Sequence, residues 1–286
     1  MVHGDLGDYV QSLAYYREAL GIKQEVYGTR HLSVADTLSD LGAIHRDLDD
    51  HMQSLSCYRE VLAIRKEVYK AKHPLVASTL NDLGHIHSAL GDHVQSLAYY
   101  TEALAMRKEL YGNRPHLSVA STLYGLGNVY KATGAYMKSI QCYEECLDIE
   151  ERLCGEIHAD VAITLADLGN VHSLLGEHAR SIGYYEEALQ IRRQVHDGLH
   201  PCVAQILHSL GNAHKNSGDL TGASAYYGEA FRMYQLLGAI FQHFSKHAQA
   251  VECFEKALGV GKKIHGAIHP DVAAMLYRLA IVYYSS

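Results

Sequence analysis

The sequence has no tryptophan, only 4 phenylalanines and 4 prolines among 286 residues, and no excess of positive charge. Its 25 lysines and arginines face 32 aspartates and glutamates, and the resulting charge of −7 gives no electrostatic reason to bind nucleic acid or an anionic membrane. No apolar run approaches the roughly 18 to 20 residues that a membrane-spanning helix needs. Because 48% of the residues are apolar, a disordered chain is also excluded. We therefore expect a folded protein that neither binds nucleic acid nor inserts into a membrane.

The sequence also lacks the signals of a secreted protein. Residues 1–8 carry neither the basic region nor the apolar segment of a signal peptide. The 6 cysteines contain no C-x-x-C pair, which is typical of a reducing compartment rather than of a disulfide scaffold. Cys142 and Cys146 would share one helix face, where small apolar groups are a simpler interpretation than a metal pair. These observations predict a cytoplasmic protein.

What the sequence does contain is an internal repeat. The dipeptide Leu-Gly returns at intervals of 42, 43, 42, 42 and 27 residues, and a Leu-Ala pair follows after another 42. A tyrosine-rich segment that ends near Glu-Ala-Leu shows the same period with the same single interruption. A period of this size indicates a solenoid, in which each unit buries its apolar face by stacking on its neighbours. The leucines of the first pattern are Leu41, Leu83, Leu126, Leu168, Leu210, Leu237 and Leu279.

Each unit contains two helical patterns separated by a glycine turn such as Gly91-Asp92. In the first pattern, apolar residues at i, i+3 and i+7 give one buried face, as in Leu80–His87. In the second, a small residue, a tyrosine and an Ala-Leu pair recur, as in Ser96–Leu104. A side chain in place of the glycine after the first-helix leucine, for example Gly84, would push the two helices apart. The sequence thus predicts close helical hairpins in which the tyrosine fills the space between the helices.

These patterns resemble the tetratricopeptide repeat, and the additional residues after the second helix, as in Ile64–Leu80, are similar to the longer repeats of kinesin light chains. The resemblance covers essentially the whole chain and implies an all-α fold, a right-handed α-solenoid (superhelix) of about seven helical hairpins with incomplete terminal repeats. HEAT and armadillo units also have periods near 42 residues and are the alternative. We expect one solenoid over residues 1–286, with regular repeats in 1–231, an irregular junction in 232–250, and a last hairpin and half repeat in 251–286.

The interval of 27 residues means that one unit lacks fifteen residues, namely the inter-repeat loop and the first turns of the next helix. No helix breaker precedes Gly238, so we expect two helices to be fused or kinked between about Ala225 and Phe244. The alternative is an irregularity of the gene model without a function. Both ends of the chain lie partway through a repeat, which indicates a segment of a longer array, or ends covered by another chain or by self-association.

Twenty histidines could indicate metal or acid–base chemistry, but most of them occupy fixed places in the repeat. Those before the first helices, as in His73-Pro74, are typical of helix starts, and others, such as His87, replace the tyrosine of the repeat. Because repeats stack roughly 10 Å apart, histidines of successive repeats are too distant to share a metal. No nucleotide-binding, nucleophile-elbow or zinc-protease motif occurs. We therefore expect no enzyme activity, no cofactor and no metal site.

In the tetratricopeptide family the concave groove is lined by the first helices, and the resemblance carries this role to specific positions. Three successive asparagines, Asn128, Asn170 and Asn212, would form a ladder whose amides can pair with the backbone of an extended peptide. The alternative is that they bridge adjacent helices. The lining is acidic toward the N-terminus and mixed to basic further on, which would orient a ligand of asymmetric charge. The other predicted groove residues are Tyr124, Lys131, Asp167, His208, Lys215, Asn81, Asp82 and His85.

The resemblance implies a non-catalytic protein–protein interaction scaffold that binds an extended peptide or a partner segment in its groove, as kinesin light chains hold cargo motifs. A second hypothesis is that the array is the sensor or regulatory segment of a larger multidomain enzyme or nucleotide-dependent switch protein. A third is a spacer that self-associates through its uncapped ends. The fold alone does not choose among them.

Overall fold

The computed structural model describes residues 6–70, 72–112, 114–196 and 198–285, with side chains between residues 9 and 284 of these ranges. Every regular element in this part of the chain is an α helix, so the predicted all-α solenoid class is confirmed. Met1–Asp5, part of the segment read for an export signal, lie outside the described residues. The helices are α1 (Leu6–Tyr27), α2 (Leu32–Asp47), α3 (His51–Tyr69), α4 (Pro74–Ala89), α5 (His93–Tyr111), α6 (Leu117–Ala132), α7 (Tyr136–Cys154), α8 (Ala159–Leu174), α9 (His178–Val195), α10 (Pro201–Ser217), α11 (Leu220–His243), α12 (His247–His265) and α13 (Pro270–Ser285).

Consecutive helices pack as hairpins, and a mid-helix glycine allows their close approach. A Cβ atom at Gly84 would lie 2.9 Å from the ring of Tyr100, which real Cβ atoms essentially never do. The hydroxyl of Ser96 lies in the same contact and donates to the carbonyl oxygen of Gly84 at 2.7 Å. Gly169 repeats this arrangement with Tyr185, again at 2.9 Å. The predicted reason for the glycine is therefore confirmed.

A histidine cap begins six of the helices, each the first helix of its repeat, namely α2, α4, α6, α8, α10 and α13. In α4, Nδ1 of His73 accepts the backbone N–H of Leu75 at 3.2 Å, and Pro74 occupies the first turn, where its missing N–H does no harm. The His73 ring also stacks on Tyr69 with 3.5 Å between the centroids. This bond confirms the predicted role of these histidines in helix starts. Equivalent bonds are accepted by His31, His116, His158, His200 and His269.

In four of the described hairpins, the turn is held by a second kind of histidine. Nδ1 of the buried His87 lies 3.2 Å from Oδ2 of Asp92, whose Oδ1 accepts the backbone N–H of Gln95 at the start of α5. The His87 ring stacks on Tyr99 at 5.3 Å. The histidine that replaces the repeat's tyrosine thus fixes the carboxylate that caps the second helix. The same pairing recurs in His45–Asp50, His172–Glu177 and His214–Asp219.

The helices form two compact units, residues 1–149 and 150–286. In the first unit, Leu80 is completely buried in a cluster with Ala103 and Met106. In the second unit, Leu207 is likewise completely buried. A single solenoid over the whole chain stays a prediction.

Helix α11 runs without a break through the segment in which the sequence predicts fused or kinked helices. Its first half forms a hairpin with α10, where a Cβ atom at Gly211 would overlap the ring of Tyr227. Its second half forms a hairpin with α12, where a Cβ atom at Gly238 would lie 2.7 Å from the ring of Phe254. One continuous helix therefore serves both as a second helix and as the next first helix.

Candidate functional site

The three predicted ladder asparagines each accept a hydrogen bond from a tyrosine of the second helix in their own hairpin. Each asparagine thus bridges two helices, which is the alternative role that the sequence left open. The bond uses the carbonyl oxygen of the amide and not its NH₂ group, and pairing of that group with a peptide stays a prediction. The bonds are Tyr143 Oη to Asn128 Oδ1 at 2.8 Å, Tyr185 Oη to Asn170 Oδ1 at 2.6 Å, and Tyr227 Oη to Asn212 Oδ1 at 2.8 Å.

In the first unit, two further predicted residues gather around the same tyrosine as Asn128. The ring of Tyr124 packs against that of Tyr143 with 5.7 Å between the centroids. The ammonium group of Lys131 lies 5.7 Å from the centroid of the Tyr143 ring. The structure therefore brings Tyr124, Asn128 and Lys131 together, with an aromatic face between them that is suited to a cation.

Arginines from the second helices reach the predicted groove residues of the first unit. Nη1 of Arg107 donates to Oδ1 of Asn81 at 3.1 Å and also contacts Thr122. Nη2 of Arg65 donates at 3.1 Å to Oδ1 of Asp36, one of the acidic side chains on the first helices toward the N-terminus. Sequence reasoning missed these arginines because it assigned the groove to the first helices alone. The 42-residue spacing between Arg65 and Arg107 was a signal that could have found them.

Asp82 and His85 lie on α4 near Arg46. Burial raises the pKa of Asp82 to about 6, and Arg46, with 4.0 Å between Nη1 and Oδ1, opposes this rise. Burial and the charge of Arg46 lower the pKa of His85. The carboxylates at this end of the predicted groove thus have cationic neighbours, and the end is less acidic than its first helices alone indicate.

In the second unit, α12 lies over the predicted groove residues of α10. Nζ of Lys263 is 2.7 Å from Nε2 of His208 and donates to Oδ1 of Asn212 at 2.9 Å. Burial lowers the pKa of His208 to about 4, with smaller contributions from Lys263 and Lys256. Burial, and to a lesser degree the exposed Lys215, lower the pKa of Lys263. His208 and Asn212 are therefore engaged within the chain, which sequence reasoning did not foresee.

A cavity of about 400 Å³ opens in the second unit among α8, α9, α10 and α12. Of the predicted site residues, Asp167 and Asn170 line it, and Nδ2 of Asn170 donates to Oδ1 of Asp167 at 3.2 Å. Sequence reasoning missed the contribution of α12, although the shortened 27-residue interval was a signal that α12 comes close to α10. The further polar residues of the lining are Tyr185, Arg192, Gln205, Ser209, Glu252 and Lys256.

Comparison with known proteins decides the family. The sequence matches the profile described as tetratricopeptide repeat at residues 1–51, 33–109, 118–194, 160–236 and 232–286. The chain belongs to the tetratricopeptide repeat family. No curated protein matches the chain significantly over its sequence.

Solved structures agree on the fold. BtubC (BKLC) from P. vanneervenii is 24% identical, has a TM-score of 0.69, and aligns with 80% of this chain and 91% of its own. A Podosopora anserina kinesin light chain-like protein with nearly identical TPR-like repeats is 16% identical, with a TM-score of 0.63 over 72% of this chain and 96% of its own. A Rap protein complexed with competence and sporulation factor is 13% identical, with a TM-score of 0.55 over 100% of this chain and 89% of its own.

The family match supports a scaffold for protein–protein interaction, in a family whose members are generally non-catalytic. Among the helices that the structure describes, none combines the length and the apolar character needed to cross a bilayer.

Proposed function

We propose that this tetratricopeptide array is an adaptor-type scaffold that holds an extended segment of a partner protein, with one side chain of that segment in the cavity of the second unit. The observation that carries the proposal is the cavity itself. Its volume of about 400 Å³ falls within the roughly 300 to 1,000 Å³ of ligand sites in proteins, and most of its lining surface is apolar.

The polar groups of the cavity favour an uncharged side chain. Nζ of Lys256 donates to Oε1 of Glu252 at 2.7 Å, so these two charges compensate each other. Asp167 is bonded to the amide of Asn170 at 3.2 Å. A charged ligand group would lose its hydration at groups that are already engaged within the chain, which costs free energy. An apolar side chain would instead use the apolar lining.

The amides at the cavity can hold the backbone of the bound segment. Asn170 carries an NH₂ group with two hydrogens, of which the bond to Asp167 needs only one. Gln205 is exposed at the cavity and offers a second amide. Two amides beside an apolar cavity supply sequence-independent backbone bonds together with one selective pocket. The complex of a Rap protein with competence and sporulation factor supports the view that a solenoid of this fold can take a ligand.

The test is a peptide-display selection against the purified chain, followed by affinity measurements with two matched variants. Asn170→Ala and Asn128→Ala both remove an asparagine that accepts a bond from a tyrosine, but only Asn170 lines the cavity. We expect Asn170→Ala to weaken binding of the selected peptide by up to about tenfold, because a neutral hydrogen bond contributes about 0.5 to 1.5 kcal/mol and a tenfold change in affinity corresponds to about 1.4 kcal/mol. Asn128→Ala should leave the affinity within about twofold.

A second pair of variants fills the cavity without touching the asparagines. Ser209→Phe places a ring in the cavity, whereas Ser224→Phe adds the same ring at an exposed position on α11. Loss of binding in Ser209→Phe but not in Ser224→Phe supports the cavity as the binding site. Equal affinity in all four variants, with circular dichroism showing them folded, would assign the ligand to another surface.

A further inference from the structure

Two histidines and an aspartate meet where α12 ends and α13 begins. His265 is the last residue of α12, His269 precedes α13, and Asp271 lies in the first turn of α13. Nε2 of His265 is 3.4 Å from Oδ2 of Asp271, and Nδ1 of His269 is 3.6 Å from the same oxygen. One donor atom from each of the three residues lies within 4.8 Å of the other two.

These separations suit a tetrahedral metal ion. Nitrogen and oxygen ligands bind Zn²⁺ at about 2.0 to 2.2 Å, so two ligands of one ion lie about 3.4 Å apart. The two distances to Asp271 already have this length. The two histidine nitrogens lie within 4.8 Å of each other, and binding of one ion by both requires the exposed His265 ring to turn out of its stack on His269. Nδ1 of His269 also accepts the backbone N–H of Asp271 at 3.2 Å, so ligation by that nitrogen replaces the hydrogen bond of the helix cap.

Ring stacking where α12 meets α13 does not require a histidine at position 265 or an aspartate at position 271. At the junction before α4, Tyr69 stacks on the capping His73, and at the junction before α6, Tyr111 stacks on His116 at 3.8 Å. His265 stacks on His269 in the same way, with 4.1 Å between the ring centroids and 10° between the ring planes. A tyrosine would therefore satisfy the packing. The histidine adds a ring nitrogen, and Asp271 adds a carboxylate beside it.

A second histidine–histidine stack, before α10, has a cationic side chain beside it and would therefore not attract a metal ion. His196 and His200 stack at 4.0 Å, but Nη1 of Arg192 donates to Nε2 of His196 at 2.9 Å. Burial, His196 and Arg192 lower the pKa of His200. A metal ion there would have to displace a guanidinium group. At the α12–α13 junction, the neighbour of the corresponding nitrogen is a carboxylate.

The helix ends around the cluster do not oppose a cation. The backbone carbonyls at the C-terminus of α12 attract positive charge and offset the opposite effect of the N-terminus of α13. The spacing argument against metal sites applies to histidines of successive repeats, whereas these three residues belong to one junction. We propose that His265, His269 and Asp271 bind a divalent transition metal ion such as Zn²⁺, with solvent completing the coordination.

The experiment is a calorimetric titration of Zn²⁺ into the purified, chelator-treated chain at neutral pH. The variants are His265→Tyr, which restores the residue type found at the regular junctions and keeps the stack, and Asp271→Asn, which keeps the shape and the backbone N–H. His269 is left unchanged because its loss would uncap α13. His196→Tyr is the matched control at the other histidine stack.

We expect saturable Zn²⁺ binding to the native chain, an affinity at least tenfold lower in His265→Tyr and in Asp271→Asn, and no change in His196→Tyr. Zn²⁺ should also raise the Tm of the native chain and of His196→Tyr, but not of the two site variants. Absence of saturable binding to the native chain would overturn the proposal. Undiminished binding in either site variant, or an equal loss in His196→Tyr, would overturn it as well, and circular dichroism on each variant confirms that it is folded.

Discussion

The α8–α9 hairpin and the α11–α12 hairpin share one packing contact but differ in almost everything around it. Both place a mid-helix glycine against an aromatic ring, Gly169 against Tyr185 and Gly238 against Phe254. The regular hairpin adds a buried serine bond, whereas the α11–α12 hairpin has Ala250 at that place. The glycine–aromatic contact is therefore kept in the unit that lacks fifteen residues, whereas the serine bond is not.

The difference also has a functional side. Since α11 joins two helices without a loop, Lys263 of α12 lies against His208 and Asn212 of α10. These two positions line the groove in the resemblance to other tetratricopeptide arrays. Two of the predicted groove positions are thus engaged within the chain, and the cavity lined by α8, α9, α10 and α12 lies beside them.

The largest expected effect concerns the contact that the two hairpins share. Gly169→Ala places a Cβ atom about 2.9 Å from the Tyr185 ring, and overpacking of this kind costs about 1 to 3 kcal/mol of unfolding free energy. Gly238→Ala should cost a similar amount against Phe254. Gly183→Ala is the control, since a Cβ atom there meets no atom within 4 Å, and it should stabilise α9 by about 0.5 to 1 kcal/mol.

Urea unfolding followed by circular dichroism measures all three glycine variants. If Gly169→Ala destabilises the chain and Gly238→Ala does not, the helices of the α11–α12 hairpin are less tightly packed than those of the α8–α9 hairpin. A stabilisation in all three would contradict the packing account of the glycine.

The next expected effect is the pH dependence of stability that His208 contributes where α12 lies against α10. Burial lowers the pKa of His208 to about 4, below the ordinary value of about 6.5, so the folded chain binds fewer protons than the unfolded chain. Stability from this histidine is complete above pH 6.5 and is lost as the pH falls toward 4. Allowing for solvent screening, the loss between pH 7 and pH 5 should be about 1 to 2 kcal/mol.

His208→Gln keeps an acceptor for Lys263 but cannot titrate, so it should remove this part of the acid destabilisation. His243→Gln, which removes an exposed histidine at the end of α11, is the control. Thermal unfolding at pH 7, 6 and 5 gives the comparison. Parallel profiles for the native chain and His208→Gln would show that Lys263 does not hold a neutral histidine.

Much of the fold was predictable from the sequence, and the reasons are local. The glycine contact, the histidine caps and the fused helix follow from residue types at fixed repeat positions, such as Gly84, His73 and the unbroken segment before Gly238. The site was less predictable. Arg107 reaches Asn81 from a second helix, and Lys263 reaches Asn212 from 51 residues away. Such contacts depend on how hairpins stack, which no single repeat encodes.

A smaller effect tests the polar bond that the junction lacks. The hydroxyl of Ser181 donates to the carbonyl oxygen of Gly169 at 2.8 Å, and both groups are buried. Ser181→Ala should cost about 1 kcal/mol, because the net value of a buried hydrogen bond is about 0.5 to 1.5 kcal/mol. Ala250→Ser introduces the same hydroxyl twelve residues after Gly238 and should be neutral or slightly stabilising. Urea unfolding is the measurement, and a neutral Ser181→Ala would show that the carbonyl does not depend on this donor.

The smallest expected effect comes from adding a side-chain cap at the start of α12. Lys246 precedes α12 with φ −87° and ψ 68°, and its side chain makes no cap bond. Asp92 has nearly the same backbone, φ −83° and ψ 73°, and caps α5 by accepting the N–H of Gln95. Lys246→Asp should therefore accept the N–H of Gln249 and stabilise α12 by about 0.5 to 1 kcal/mol. Lys246→Ala removes only the positive charge at the helix N-terminus and should stabilise α12 by a smaller amount. Amide hydrogen exchange in the first turn of α12 is the measurement, and equal protection in both variants would mean that the charge of Lys246, and not the missing cap bond, limits the stability of this turn.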